Sequence, residues 1–121
     1  MKLKTLTYDF SICKVNDYSK IDLNQDYCFT AKTEAENSLV CLTEHVPGNT
    51  IERDDDWKAL RIEGVLDFSQ IGVLAGISAL LAENEIGIFV ISTYNTDYIL
   101  VKKENILKAA TVLAKAGYDI A

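Results

Sequence analysis

Residues 86–101 read IGIFVISTYNTDYILV and decide how the C-terminal half of the chain folds. Two runs, 86–93 and 98–101, consist mainly of β-branched and aromatic residues, which pack well on a pleated sheet and are typical of strands. The polar cluster between them, residues 94–97, is rich in turn-forming residues. The stretch therefore predicts a buried hairpin whose tip presents a phenol, an amide, a hydroxyl and a carboxylate. Such a tip favours binding of a small polar ligand at the edge of a sheet.

Helical patterns lie on both sides of this hairpin. Apolar side chains recur at helical spacing in residues 69–83. A second helix is predicted at residues 103–116, where Gly117 has the residue type common just after a helix end. Residues 57–62 read as a strand. The order strand, helix, strand, strand, helix predicts an α+β fold in which both helices cover one face of an antiparallel sheet.

The N-terminal half is rich in predicted strands and contains no long helical pattern. Residues 6–13 alternate between apolar and polar types with a period of two. Residues 33–36, TEAE, have capping-box spacing and predict one helical turn. No repeated sequence relates the two halves, which share only a loose similarity in the order of their elements. The remaining predicted segments are strands at 27–31 and 39–42 and a loop at 45–56.

Length, composition and charge narrow the class of function. A chain of 121 residues favours one domain or two small lobes. The net charge of −6 disfavours nucleic acid, because phosphate binding depends on clustered Lys and Arg, and it disfavours anionic membrane surfaces. The start has no apolar run typical of a signal peptide, and the longest uncharged run, residues 68–82, is shorter than the roughly 20 residues of a membrane helix. We therefore expect a cytoplasmic protein.

Residue types used in catalysis and metal binding form no motif. The three cysteines, Cys13, Cys28 and Cys41, fit the role of small buried hydrophobic residues. His45 is the only histidine, and no nucleophile motif surrounds it. The acidic residues 54–56 favour a solvated linker over a cation site, because consecutive acids point in different directions. We therefore predict no catalytic residue, no metal and no cofactor.

Five segments show a more specific pattern: residues 57–64 (WKALRIEG), 66–69 (LDFS) and 91–101 (ISTYNTDYILV), with a matching pattern at 29–33 and 38–41. In these segments the chain resembles the ACT domain family, small regulatory modules of βαββαβ, ferredoxin-like architecture attached to enzymes of amino-acid metabolism. It is most similar to compact bacterial proteins with two ACT-like lobes, related to aspartate kinase regulatory domains and to eukaryotic cytosolic arginine sensors.

The resemblance implies a division of the chain and a class of ligand. It implies a degenerate, β-rich lobe at residues 1–55 and an ACT domain at residues 56–121. It also implies binding of an amino acid, usually at an interface between two lobes or two subunits.

An amino acid offers a carboxylate, for which the sequence contains a candidate site. The connection Gly64-Val65-Leu66 precedes a helix predicted to start near Ser69. Free backbone N–H groups and the positive end of the helix dipole at such a start suit a carboxylate. Gly64 would let the backbone approach the ligand closely, although it is equally compatible with a tight strand-to-helix connection.

The ammonium group of an amino acid would bind at the hairpin tip. Asp97 would hold it through a charge-assisted hydrogen bond, with Thr93, Tyr94 and Thr96 as further contacts and pocket wall. Structural roles stay open for two of these residues. Asp97 is also suited to capping its own turn, and Thr93 to pairing across the hairpin.

Three functions remain to be compared. The first is an amino-acid-binding regulatory module, and the second is a protein-interaction module whose pocket is filled by Tyr94 or Leu66. The third is an enzyme, for which no acid–base or nucleophile pattern exists. A sheet covered on one face leaves its other face and its edges to be covered, which favours a homodimer.

Overall fold

The computed structural model describes residues 1–64 and 72–121. It contains two compact units, a larger one made of residues 1–7 and 58–121 and a smaller one made of residues 8–57. The lobe boundary predicted between residues 55 and 56 stays a prediction. The strands are β1 (Lys2–Val15), β2 (Phe29–Lys32), β3 (Asn37–Leu42), β4 (Thr50–Ile62), β5 (Phe89–Ser92), β6 (Asp97–Lys102) and β7 (Asp119–Ile120). The helices are α1 (Val73–Glu83) and α2 (Ile106–Lys115), and short 3₁₀ turns at Thr43–His45 and Lys103–Asn105 follow β3 and β6.

The larger unit has the predicted ferredoxin-like order, β4-α1-β5-β6-α2-β7. Its strands lie in the order β7-β1-β4-β6-β5, and β1 pairs in parallel with β7 at Lys2 and Leu3. β5 and β6 form the predicted antiparallel hairpin, in which Ser92 lies opposite Asp97. The α+β class and the ferredoxin-like fold are therefore confirmed.

One hydrophobic core holds the larger unit together. Fully buried side chains come from the strands, such as Leu60 and Ile99, and from both helices, such as Ile77 of α1 and Leu113 of α2. Helices α1 and α2 contact each other across this core. The apolar spacing read from the sequence therefore marks the buried faces of both helices.

Helix α2 ends as the sequence predicts. Gly117 has a φ of +103°, the left-handed conformation that glycine adopts without steric cost. The N–H of Gly117 donates to the carbonyl of Ala114, and the N–H of Tyr118 donates to that of Leu113, both at 3.1 Å. These two bonds form a Schellman motif, which satisfies carbonyls that the helix leaves without partners.

Helix α1 begins later than predicted. Its first residue is Val73, and Gly72 precedes it with a φ of +85°, which is incompatible with a continuing right-handed helix. Residues 69–71 of the predicted helix lie outside the described residues. Gly76, inside α1, leaves room for a neighbour, because an added Cβ would lie 3.4 Å from the Tyr118 hydroxyl.

The smaller unit is a sheet with the strand order β2-β3-β1-β4. β1 and β3 pair antiparallel, from Phe10 opposite Leu42 to Val15 opposite Asn37. The buried side chains of Cys13 and Cys41 lie in its core, and partly buried Cys28 packs against them. The cysteines thus occupy the apolar positions predicted for them.

Two predictions for the smaller unit are wrong. Residues 50–56 belong to β4 and not to a loop, because pairing with a neighbouring strand outweighs the low β-propensity of the aspartates. Residues 33–36 form a hairpin turn and not a helical turn, since the N–H of Thr33 donates to the carbonyl of Glu36 at 2.9 Å. The Thr33 hydroxyl accepts from the N–H groups of Ala35 and Glu36, so the capping side chain closes a turn.

The two units share a structural repeat. The succession strand, four-residue turn, strand and 3₁₀ turn over residues 29–45 recurs with the same element boundaries over residues 89–105. Few side chains coincide, among them Phe29 with Phe89 and Thr33 with Thr93. The similarity of order noted in the sequence is therefore a repeat of backbone structure. It is hard to detect in the sequence because few residues are identical between the two copies.

Candidate functional site

The tip of the β5–β6 hairpin is a four-residue turn held by two threonines. The N–H of Thr93 donates to the carbonyl of Thr96 at 2.8 Å, and the Thr93 hydroxyl donates to the same oxygen at 3.0 Å. The N–H of Thr96 is 3.3 Å from the Thr93 hydroxyl oxygen, which accepts from it. Thr93 thus closes the turn by bonds within it, whereas the cross-strand partners next to the turn are Ser92 and Asp97.

Thr96 connects this tip to the end of β4. Its side chain is buried, and its hydroxyl donates a 2.8 Å hydrogen bond to the carbonyl of Ile62. Gly64 follows two residues later, is exposed and has a φ of +84°. The structure therefore brings the Thr93–Asp97 tip and the strand end that leads into Gly64 together. Val65 and Leu66, predicted to continue this side of the site, lie outside the described residues.

Asp97 is partly buried at the start of β6 and interacts across the hairpin. The Ser92 hydroxyl donates a 2.5 Å hydrogen bond to its Oδ1, and the two residues are direct cross-strand partners. This bond fixes the orientation of the carboxylate relative to the sheet. Tyr94, the second residue of the turn, is 81% exposed.

Charges near Gly64 are balanced. Arg61 Nη2 lies 3.2 Å from Oε1 of Glu63, the residue before Gly64. Without that guanidinium, the Glu63 carboxylate would repel an anion approaching Gly64. Gly72, the residue before α1, has no side chain that could cap the helix, and the first N–H groups of α1, like those of any helix, have no acceptor within the helix.

The sequence missed three participants: Ser92, the Ile62 carbonyl and the Arg61–Glu63 pair. Ser92 could have been found, because residues that flank a four-residue hairpin turn face each other across the strands. The Ile62 carbonyl had no sequence signal, since 34 residues separate it from Thr96. Arg61 lies in β4 and Glu63 directly follows the strand, and residues two apart in extended backbone have their side chains on one side.

Other chemistries find little support in the part of the chain that the structure describes. Residues 1–64 and 72–121 contain no group of three potential metal ligands and no helix long and apolar enough to cross a membrane. Burial raises the pKa of the Cys41 thiol to about 12, and burial also raises the pKa of Cys13 and of Cys28. Thiols with raised pKa values are poor nucleophiles near neutral pH.

The sequence profile of the ACT domain family matches residues 52–115, more than half of the chain. The chain belongs to the ACT domain family. The β4-to-α2 region that forms this ACT domain contains the hairpin tip, the Ile62 carbonyl and Gly64. No curated protein matches the sequence.

Solved structures similar to this ACT protein cover nearly its full length. Protein Atu0741 from Agobacterium tumefaciens is 29% identical, with a TM-score of 0.86, over 99% of this chain and 91% of that one. VC0802 from Vibrio cholerae, a protein of unknown function described as a possible transport protein, is 23% identical, with a TM-score of 0.68 over 94% and 88%. The ligand-free regulatory subunit of aspartate kinase from Thermus thermophilus is 11% identical, with a TM-score of 0.68 over 97% of both chains. The last two similarities concern the fold alone.

Proposed function

We propose that this chain is a regulatory ACT module that binds a free amino acid and catalyses no reaction. The Thr96–Ile62 hydrogen bond supports this proposal most directly, because it keeps the hairpin tip beside the strand end that leads into Gly64. A zwitterion needs an anionic and a cationic or N–H-rich partner at close range. Asp97 and the Gly64 connection are partners of these two kinds.

The ammonium group of the ligand binds the Asp97 carboxylate. Ser92 holds one carboxylate oxygen through its hydroxyl, which leaves the carboxylate oriented for a charge-assisted bond. Thr93, Tyr94 and Thr96 form the surrounding wall, and the exposed ring of Tyr94 is the part that a ligand side chain would contact.

The carboxylate of the ligand binds backbone N–H groups of the Gly64-Val65-Leu66 connection. Arg61 supports this role by neutralising Glu63 next to the site. Gly64 has a positive φ, a conformation that glycine adopts without steric cost. Because Gly64 has no side chain, the ligand can approach its backbone closely.

A second copy of the chain completes the site in this proposal. Regulation by a ligand requires different affinities in two states, and a subunit interface that closes on the ligand supplies such states. The aspartate kinase regulatory subunit with the same fold is the comparison that suggests a regulatory role. A cytoplasmic location fits the free thiols of Cys13, Cys28 and Cys41.

Titration calorimetry and thermal unfolding with each of the twenty standard amino acids test the proposal. A ligand that binds only the folded state raises the unfolding temperature, and we expect this for at least one amino acid. Asp97→Asn should reduce the shift strongly, whereas Glu34→Gln, at the exposed tip of the other hairpin, should leave it unchanged. If no amino acid binds, or if Asp97→Asn binds it as tightly as the wild type, the proposal is wrong.

A protein-interaction module is the second candidate. An 81% exposed Tyr94 does not fill a pocket, and the same exposure makes this ring available to a protein partner. Failure of all amino acids to bind, combined with a partner whose binding is lost in Tyr94→Ala, would favour this candidate over the first.

A further inference from the structure

The structural repeat gives Asp97 a counterpart in the smaller unit. In each hairpin, one residue before the four-residue turn lies opposite one residue after it: Ser92 opposite Asp97, and Lys32 opposite Asn37. Asn37 therefore occupies the position of Asp97. The side chains of each pair also contact each other, through Ser92 to Asp97 Oδ1 at 2.5 Å and Lys32 Nζ to Asn37 Oδ1 at 3.1 Å.

In the larger unit, Thr96, the residue before Asp97, makes the hydrogen bond that connects the hairpin tip to β4. Thr96 donates to Ile62, the last residue of β4. Asp97 does not take part in this bond, and Ser92 is its only side-chain hydrogen-bond partner among the described residues. The carboxylate thus retains acceptor capacity for a ligand.

In the smaller unit, the corresponding hydrogen bond is made by Asn37, the counterpart of Asp97. Asn37 Nδ2 donates a 2.8 Å hydrogen bond to the carbonyl of Asn16, the residue that follows β1. Glu36 stands where Thr96 stands in the other hairpin, and an ionised carboxylate has no proton to donate. Both ends of the Asn37 amide are therefore occupied, one by Asn16 and the other by Lys32.

We infer that Thr96 determines which of the two repeated tips binds ligand, and that each chain binds one amino acid, at Asp97. By making the bond to Ile62, Thr96 leaves Asp97 available as the partner of an ammonium group. The tip of the smaller unit is closed by Asn37 and has the Lys32 ammonium beside it, which repels a second ammonium. This inference rests on the proposed function and names the residue that makes the site selective.

Calorimetry with the best-binding standard amino acid and its N-acetyl derivative, which lacks the ammonium, tests the inference. We expect one ligand per chain, a loss of about tenfold or more on N-acetylation, and no difference between the two ligands in Asp97→Asn, because the lost partner is the ammonium. Asn37→Ala should leave both affinity and stoichiometry unchanged. Since a merely structural change would not remove discrimination between the two ligands, this readout separates ligand contact from loss of fold.

Two variants test Thr96. Thr96→Ser keeps the hydroxyl donor and should bind within about twofold of the wild type, whereas Thr96→Val should lose about tenfold or more. Circular dichroism confirms that both variants are folded. Two ligands per chain, a loss of affinity in Asn37→Ala equal to that in Asp97→Asn, or unchanged binding in Thr96→Val would overturn the inference but not the proposed function. If the wild type binds no amino acid, both are overturned.

Discussion

The hydroxyl of Thr96 donates a 2.8 Å hydrogen bond to the carbonyl of Ile62, the last residue of β4. Ile62 is fully buried and Thr96 nearly so, so both groups are shielded from water. A buried carbonyl that loses its donor pays the full cost of desolvation. This bond thus combines two roles, since it stabilises the ACT domain and places the hairpin tip.

Thr96→Val should lower the free energy of unfolding by about 1–3 kcal/mol, because it leaves the Ile62 carbonyl without its side-chain donor. Thr96→Ser, which retains the donor, should lose less. Urea unfolding followed by circular dichroism measures both. Thr93→Val is the matched control, since the hydrogen bonds of its exposed hydroxyl to the described residues lie within the turn. A smaller loss in Thr96→Val than in Thr93→Val would contradict the prediction.

Two leucines of α2 should respond very differently to truncation. Leu113 is fully buried in the core of the larger unit, whereas Leu107 is 81% exposed on the same helix. Leu113→Ala should lower the free energy of unfolding by about 2–5 kcal/mol through lost burial and the remaining cavity. Leu107→Ala should change it by no more than about 0.5 kcal/mol. Equal effects in thermal or urea unfolding would show that the core is assigned wrongly.

Gly117→Ala should destabilise the protein by about 1–2 kcal/mol, because a φ of +103° is unfavourable for a residue with a Cβ. Gly48→Ala is the control, since Gly48 is outside the left-handed region and an added Cβ would meet no atom within 4 Å. We expect that control to be neutral or slightly stabilising. Differential scanning calorimetry of the two variants decides the matter, and a neutral Gly117→Ala would refute the Schellman ending.

The stability of the smaller unit should fall at alkaline pH. Burial raises the pKa of Cys41 from its ordinary 9.0 to about 12, so the folded state keeps the thiol proton after the unfolded state has lost it. The stabilisation is complete below pH 9 and is lost progressively as the pH rises from 9 towards 12. Urea unfolding at about pH 8 and about pH 10.5 should show a larger loss for the wild type than for Cys41→Val. Tyr and Lys residues titrate in both proteins, so equal losses would mean that Cys41 does not contribute.

The sequence predicted the hairpin and the ferredoxin-like order because their signals are local. β-Branched runs, a polar turn and helical periodicity each need only neighbouring residues to act. The extension of β4 through residues 50–56 was missed because its pairing with β1 is a non-local interaction, and the aspartates locally disfavour a strand. The TEAE segment was misassigned because Thr33 caps a hairpin turn with the same hydroxyl that would cap a helix.

The residues of the candidate site also fall into two groups, those that local sequence predicts and those that depend on distant partners. Asp97, Thr93 and Gly64 were proposed from residue type and turn position, and the cross-strand position of Ser92 follows from turn length. The role of Thr96 was not foreseeable, because its partner lies 34 residues away. The equivalence of Asp97 and Asn37 was also hidden, since the two hairpins share backbone geometry and few side chains.

By itself, the sequence determined the elements of this protein: which residues form the hairpin, which helix faces are apolar and which side chains bring charge to the turns. Tertiary structure alone decided which carboxylate or amide at a tip is tied to a distant backbone carbonyl among the described residues and which is not. The physical reason is that propensity acts along the chain, whereas a buried hydrogen bond such as Thr96 to Ile62 forms only after distant strands have paired.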